Sequence, residues 1–269
     1  MIYCEGDSAI IIRETNDSFI MIKQHDHAFL SGEIVKHFDA SIVRSNAYWD
    51  ELLHASYQHD RSWIGLDTTP VWNDAVHRPF TFSDYPLIPK LVFYTRGIDE
   101  ISEVHPYAGL LCSLHFSSFF TNTSDPDCLR FLEKEALRQT ELRKRLPPLD
   151  EDLFQEHFTL LQFSDDFSLY MCLNRPGVSK DEEHPWFKNG FKHTEGFNHT
   201  DDPLKGQWTG PHDIVMTGAP FKHPFTVELL YKEVGKSSIL HDGIVKAYAS
   251  SGMYSHSITI SRAGTDRLV

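Results

Sequence analysis

The chain has 269 residues, of which 41% are hydrophobic and 13% aromatic, so it can bury a substantial core and does not have the composition of a disordered protein. Its 25 basic and 38 acidic residues give a formal net charge of -13, which argues against binding to nucleic-acid backbones, because these attract clusters of Lys and Arg. A small anionic molecule is a suitable partner only where a metal ion or another positive group offsets this charge.

Four cysteines are spread along the chain and form no Cys-x-x-Cys pair: Cys4, Cys112, Cys128 and Cys172. This spacing favours reduced thiols over a disulfide framework or a zinc ribbon. No apolar run is long enough to span a bilayer, and the first residues lack the charged start and apolar stretch of an export signal. We therefore expect a cytoplasmic protein without a membrane partner, whose oligomeric state the sequence leaves open.

Residues 9–23 are expected to form a β-hairpin, because two apolar runs flank a Thr-Asn-Asp-Ser turn. From His25 the apolar period becomes helical, and four or five helices are expected up to about Asn174. A loop-rich aromatic section with several prolines, residues 62–89, separates two of them.

After Asn174 the composition changes. Residues 176–224 are rich in Gly, Pro, His, Asn and Asp, which predicts irregular loops. Strand-like runs follow at residues 225–231 and 255–261, with a short helix expected at residues 242–250 between them.

The sequence thus predicts two regions. Residues 1–175 would hold the hairpin and a helical domain with a metal site, and residues 176–269 would form a region of loops and strands packed on it. The N-terminal hairpin and the late strands are expected to pair in one sheet beside the helices.

His27 is the first candidate ligand, because it heads an apolar helix face that continues through Leu30, Ser31, Ile34 and Phe38. Such a position predicts an inward-facing imidazole. The alternative is a hydrogen-bonded core histidine without a ligand role.

His59 and Asp60 end the next apolar helix face, which includes Trp49, Leu52 and Ser56. An ionised aspartate on a buried face costs several kcal/mol unless it is paired or bound to a metal. Adjacent residues at a helix end point about 100° apart, which suits two ligands of one ion. The alternative is a capping pair.

Two further candidates lie on later helices. His115 is in the middle of an almost wholly apolar helix and needs a polar partner. Asp165 interrupts a core face with Phe154 and Leu161, whereas its neighbour Asp166 belongs to a more polar face. The sequence therefore predicts that Asp165 is buried and Asp166 more exposed, with a hydrogen bond to a backbone amide, Trp or Tyr as the alternative role of Asp165.

Together these residues form a set of imidazole and carboxylate ligands: His27, His59, Asp60, His115 and Asp165. Such a set suits one or two divalent transition-metal ions (Fe, Mn, Zn, Ni or Co) with an open position for water, and it lacks the thiolates of a structural zinc site.

The order of these residues resembles that of the HD phosphohydrolase superfamily: a His early in one helix, His-Asp at the end of the next and a lone Asp about a hundred residues later. Residues 53–60 (Leu-His-Ala-Ser-Tyr-Gln-His-Asp) and 163–169 (Phe-Ser-Asp-Asp-Phe-Ser-Leu) resemble its two signature segments. This resemblance implies an HD-like helical bundle. Combined with the hairpin and the late strands predicted above, the expected fold class is α+β, mainly α: an HD-like helical bundle with an N-terminal β-hairpin and a C-terminal loop and strand region.

The chain also resembles an uncharacterised bacterial family, domain of unknown function 3891, over roughly residues 9–175 and more weakly in its tail. The similar segments include Gln-His-Asp-His at residues 24–27, His-Asp-x-x-Trp-x-x-x-Asp-x-x-Pro at residues 59–70 and Tyr-Ala-Gly-Leu-Leu-Cys-Ser-Leu-His at residues 107–115. This family carries no assigned activity.

The HD resemblance implies a metal-dependent hydrolase of a small phosphate ester or nucleotide that uses metal-activated water. His27, His59, Asp60 and Asp165 would be the metal ligands, while His115 would bind a second ion or the phosphoryl group. Arg61 is a candidate anion contact, with a surface position as the alternative. An HD-type di-iron oxygenase and a non-catalytic metal-binding protein are the other functions that this sequence allows.

Overall fold

The structure is a computed structural model that describes residues 10–197, 202–218 and 220–263. It is an α+β fold in which helices pack on a curled, mixed sheet of six strands. The described helices are α1 (Gln24–His37), α2 (Trp49–Gln58), α3 (Ile64–Asp67), α4 (Leu87–Val104), α5 (Pro106–Ser118), α6 (Pro126–Lys144), α7 (Glu151–Leu173), α8 (Lys236–Asp242) and α9 (Ile244–Ser250). Short 3-10 helices occur at Arg61–Trp63, Lys180–Glu182 and Glu195–Phe197.

The main sheet has the strand order β1-β2-β7-β8-β6-β5, and its pairs are antiparallel except for β6 with β8. A separate two-stranded ribbon lies in the section between α3 and α4. The described strands are β1 (Ile10–Glu14), β2 (Ser18–Lys23), β3 (Trp72–Asn73), β4 (Arg78–Pro79), β5 (Lys205–Gly210), β6 (Asp213–Thr217), β7 (Phe225–Gly235) and β8 (Met253–Arg262).

The predicted fold class, an HD-like helical bundle with strands appended, is wrong. Strand β2 pairs with β7, so the hairpin and the late strands form one sheet, as expected. That sheet is part of the main core: Ile22 from the hairpin and Val227 and Ile258 from the late strands belong to the same buried cluster as Leu52 and Phe154 from the helices. The helices therefore complete their core against a sheet rather than against one another alone.

The loop prediction for residues 176–224 is wrong where β5 and β6 form. In β5 the inward positions are held by Gly206 and Trp208, so only one apolar side chain reveals the alternation of the strand. The space at position 206 is tight, since a Cβ there would lie 3.1 Å from Sδ of Met216. The helix expected at residues 242–250 is confirmed as α9. An additional helix, α8, precedes it, and Gly243 separates the two with a φ of 78°. The division into two regions at residue 175 stays a prediction.

None of the helices in the described part of the chain combines the length and the apolar character needed to cross a bilayer.

Two local features mark the starts of α5 and α7. Pro106 occupies the first turn of α5, where its missing N–H costs no hydrogen bond. Asp150 caps α7, since its carboxylate accepts the backbone N–H groups of Asp152 and Leu153. These features fix where both helices begin, and their apolar faces then turn inward.

Helices α1 and α2 touch at Gly32, where the ring of Tyr57 leaves no space for a side chain. A Cβ at Gly32 would lie 2.1 Å from Cδ1 of Tyr57. The Tyr57 ring is itself held, because its hydroxyl donates to Oε1 of Glu33 at 2.5 Å. This contact sets the spacing of α1 and α2.

We expect Gly32→Ala to lower the free energy of unfolding by about 1–3 kcal/mol, because the helices must separate to admit the methyl group. Gly65→Ala is the matched control, since a Cβ at Gly65 meets no atom within 4 Å in the described structure and alanine favours a helix. Chemical denaturation of both variants would measure the difference. Equal stability of Gly32→Ala and wild type would contradict the close contact.

Candidate metal centre

Five side chains that were predicted from sequence meet at one buried point. His27 comes from α1, His59 and Asp60 follow the end of α2, His115 comes from α5 and Asp165 from α7. The three histidines are 1–2% exposed, Asp60 is 7% exposed and Asp165 is 8% exposed. Two groups of potential ligands have their ligating atoms within 4.8 Å of one another: His27 with His59 and Asp60, and His59 with His115 and Asp165.

Asp165 is buried, whereas Asp166 is half-buried, which confirms the predicted phase of α7. A shift of one residue along the helix turns a side chain by about 100°. The inward position of Asp165 therefore follows from its place on the apolar face.

The ligating atoms have the spacing of a metal coordination sphere. Nε2 of His27 lies 3.0 Å from Oδ1 of Asp165, 3.4 Å from Oδ2 of Asp60 and 3.3 Å from Nε2 of His59. Nε2 of His59 lies 3.4 Å from Oδ1 of Asp165 and 3.7 Å from Oδ2 of Asp60. Metal–ligand bonds of about 2.1 Å place neighbouring ligands about 3.0 Å apart in an octahedron and about 3.4 Å apart in a tetrahedron.

The outer hydrogen bonds of the two imidazoles turn both Nε2 lone pairs toward this point. Nδ1 of His59 lies 3.0 Å from the carbonyl oxygen of Ser56, which can only accept, so Nδ1 carries the hydrogen. Nδ1 of His27 lies 2.5 Å from Oγ of Ser168, and that hydroxyl donates its own hydrogen to the carbonyl oxygen of Asp165 at 2.8 Å. His27 therefore donates from Nδ1 as well, an assignment that follows from the network.

Two imidazole lone pairs and two carboxylates thus face one another, and this arrangement requires positive charge. Burial alone lowers the pKa of His27, but its contacts with Asp165 and Asp60 outweigh this effect and raise the pKa well above its ordinary value. The pKa of His59 is also raised, since Asp60 and Asp165 outweigh the effect of burial. Burial would raise the pKa of Asp165, but His27 and His59 hold it well below its ordinary value. Protons or a cation must compensate the carboxylates here.

His115 contacts the cluster from the other side of Asp165. Its Nε2 lies 3.4 Å from Oδ2 of Asp165, and its ring meets that of Phe119 edge-on at 4.8 Å between centroids. Its Nδ1 is buried and has no hydrogen-bond partner among the described residues. Burial lowers the pKa of His115 to about 4, so the ring is neutral at pH 7.

Arg61 is not brought into the cluster. Its Nε donates to Oε2 of Glu100 at 2.7 Å, its Nη1 donates to Gln58 at 3.1 Å, and its side chain is 41% exposed. The structure places it at the surface, the alternative position considered from sequence.

Sequence reasoning assigned no role to the serines that orient the ligands. Oγ of Ser168 is hydrogen-bonded to Nδ1 of His27. Oγ of Ser31 lies 3.0 Å from Oγ of Ser168 and 3.1 Å from the carbonyl oxygen of Ser164. Both serines are fully buried on the faces that carry His27 and Asp165. Each serine lies one helical turn from a candidate ligand on the same buried face, and this position could have indicated that it bonds a ligand.

We expect Ser168→Ala to weaken metal binding by about 10–100-fold, because outer partners of metal-bound histidines set their orientation and tautomer. Ser164→Ala is the matched control, since its hydroxyl donates only to the carbonyl of Leu161 on the same helix. Titration of the metal-free proteins with Co²⁺ in a competing chelator would measure both affinities. Equal affinities for the two variants would remove Ser168 from the site.

One family matches the chain. The model described as Protein of unknown function (DUF3891) covers residues 10–236, which confirms that resemblance, whereas no comparison links the chain to the HD phosphohydrolases. No curated protein and no solved structure gives a significant match. The chain belongs to the DUF3891 family.

Proposed function

We propose that the cluster binds one divalent transition-metal ion and that the protein is a metal-dependent hydrolase of a small phosphate ester or nucleotide. The observation that carries the metal proposal is the convergence of two Nε2 lone pairs with two carboxylate oxygens at spacings of 3.0–3.7 Å. Nitrogen and oxygen ligands of this kind suit Fe, Mn, Zn, Ni or Co.

The ligand atoms favour a single ion. His59 belongs to both groups of potential ligands. Its Nδ1 is bound to the carbonyl of Ser56, so only Nε2 is left, with one lone pair for one ion. A second ion, as in a di-iron pair, would therefore have only His115 as its imidazole ligand among the residues of this cluster.

Each residue then has a distinct task. His27, His59, Asp60 and Asp165 would hold the ion, while Ser168 and the carbonyl of Ser56 fix the two imidazoles. A cation in such a site lowers the pKa of a bound water to about 7 and polarises a phosphoryl oxygen. Four protein ligands leave a place for that water when the ion is five- or six-coordinate. His115 would hold the second oxygen of Asp165 and face the substrate side.

The substrate class follows from the His-Asp sequence pattern and from charge. A chain with a net charge of -13 repels anions. Two ionised carboxylates balance the charge of a divalent ion, so a phosphate would be bound through an open coordination position of that ion. Small phosphate esters and nucleotides are among the anions that metal-activated water hydrolyses.

A non-catalytic metal-binding role is the second candidate, and a specific observation favours it. The side chains of Asp60 and Asp165 are only 9% and 11% exposed, so access to the ion is narrow. A substrate would need small movements of the residues that surround them.

The test is to strip the purified protein, reload it with each of the five metals and screen general phosphoesterase substrates and nucleotides. The proposal expects turnover with at least one metal and none after His59→Ala. Bound metal without turnover would support the second candidate. Iron-dependent oxygen consumption would support the oxygenase, and failure to bind any metal would overturn all three.

A further inference from the structure

The N-terminus of α1, the helix that carries His27, is capped by a residue distant in sequence. Lys23 precedes the helix and makes no capping bond within the described structure. Instead Asp67 accepts the backbone N–H of Gln24 at Oδ1 and that of His25 at Oδ2, both at 3.0 Å. Asp67 is 2% exposed, so it satisfies two buried donors that would otherwise lack partners.

Asp67 also belongs to the segment that carries the other ligands. It is the last residue of α3, which follows His59 and Asp60 through one short 3-10 helix. Its own carbonyl oxygen accepts the hydroxyl of Tyr248 from α9 at 3.1 Å. Tyr248 therefore fixes the backbone of Asp67, and the side chain of Asp67 fixes the start of α1.

We propose that Asp67 is a positioning residue for the metal centre, whose two bonds to the start of α1 set the distance between His27 and the His59–Asp60 pair. This inference rests on the proposed metal binding. Gln24 and His25 lie in the same helical turn as His27, so a shift of that turn displaces its Nε2 directly. Metal sites tolerate little displacement, since their bond lengths hold to about 0.2 Å.

The aspartate belongs to neither group of potential ligands in the described structure, and each of its oxygens accepts a backbone N–H instead. Burial raises the pKa of Asp67 to about 7, and the nearby Asp60 and Asp26 add to this rise against the effect of the two N–H groups. Both oxygens remain acceptors in either protonation state.

The experiment compares Asp67→Ala with Asp125→Ala. Asp125 caps α6 in the same way, since its Oδ1 accepts the N–H groups of Asp127 and Cys128, but α6 carries no residue of the cluster. Both changes remove a helix cap, so both lower the thermal midpoint. Only Asp67→Ala is expected to weaken Co²⁺ binding, by about 10–100-fold, measured by chelator competition well below the midpoint.

Two milder variants, Asp67→Asn and Tyr248→Phe, test the same inference if Asp67→Ala fails to fold. The asparagine keeps one acceptor oxygen, and we expect it to weaken Co²⁺ binding by several-fold or more. Tyr248→Phe removes the bond to the carbonyl of Asp67 and leaves the cap, so a smaller loss is expected. Folded Asp67 variants that bind Co²⁺ as tightly as wild type, or an equal loss in Asp125→Ala, would overturn the inference. Failure of the wild type to bind any of the five metals would instead overturn the proposed function.

Discussion

His59→Ala is expected to abolish metal binding. Its Nε2 is the one atom shared by both groups of potential ligands, and it lies within 3.7 Å of His27, Asp60 and Asp165. Loss of a direct ligand should cost more than the roughly 10–100-fold that loss of an outer partner costs. Purified His59→Ala should therefore retain less than about a tenth of the metal that the wild type binds, by elemental analysis and Co²⁺ titration.

His54→Ala is the control, because His54 lies on the same helix, is half-buried and packs against His105 outside the cluster. It should keep the full metal content. Circular dichroism would establish that both variants are folded. Normal metal content in His59→Ala would place any bound metal elsewhere.

Asp165→Ala should remove the stabilisation that the metal gives while leaving the metal-free protein folded. A metal present at a thousand times its dissociation constant stabilises a protein by about 4 kcal/mol, which raises the midpoint of a chain of this size by roughly 8–16 °C. The variant lacks the carboxylate that contacts His27 and His115 and that would bind the ion. The metal-induced shift of the midpoint should therefore fall to near zero. A purely structural aspartate would instead cost about 1–3 kcal/mol with or without metal.

Thermal unfolding of wild type and variant, each with and without chelator, measures the shift. Asp166→Ala is the matched control, since it changes the next residue on the same helix at a half-buried position. It should keep the metal-induced shift. If Asp165→Ala is equally destabilised in both conditions, Asp165 is a core hydrogen-bonding residue and not a ligand.

The site could be predicted because its residues lie on helices with clear apolar faces. His27 heads such a face, His59 and Asp60 end one, and Asp165 interrupts one. Helical periodicity converts these positions directly into an inward direction. The energetic cost of burying an unpaired carboxylate then identifies Asp60 and Asp165 as residues that need a partner. These arguments use only local sequence.

The pairing of the hairpin with the late strands could be predicted, but the register of the sheet and the strands β5 and β6 could not, because these pairings join segments far apart in the chain. Ser18 of β2 faces Gly235 of β7, and no local period reveals that contact. In β5 the inward Gly206 hides the alternation. The bonds of Ser168 to His27 and of Asp67 to the start of α1 depend on the same long-range packing.

Anomalous X-ray diffraction at the absorption edge of the loaded metal would test the central claim most directly. We expect one peak per chain, about 2.0–2.3 Å from Nε2 of His27 and His59 and from carboxylate oxygens of Asp60 and Asp165. Two peaks at the cluster would contradict the single ion. A fully loaded protein with no peak between these four residues would contradict the metal centre itself.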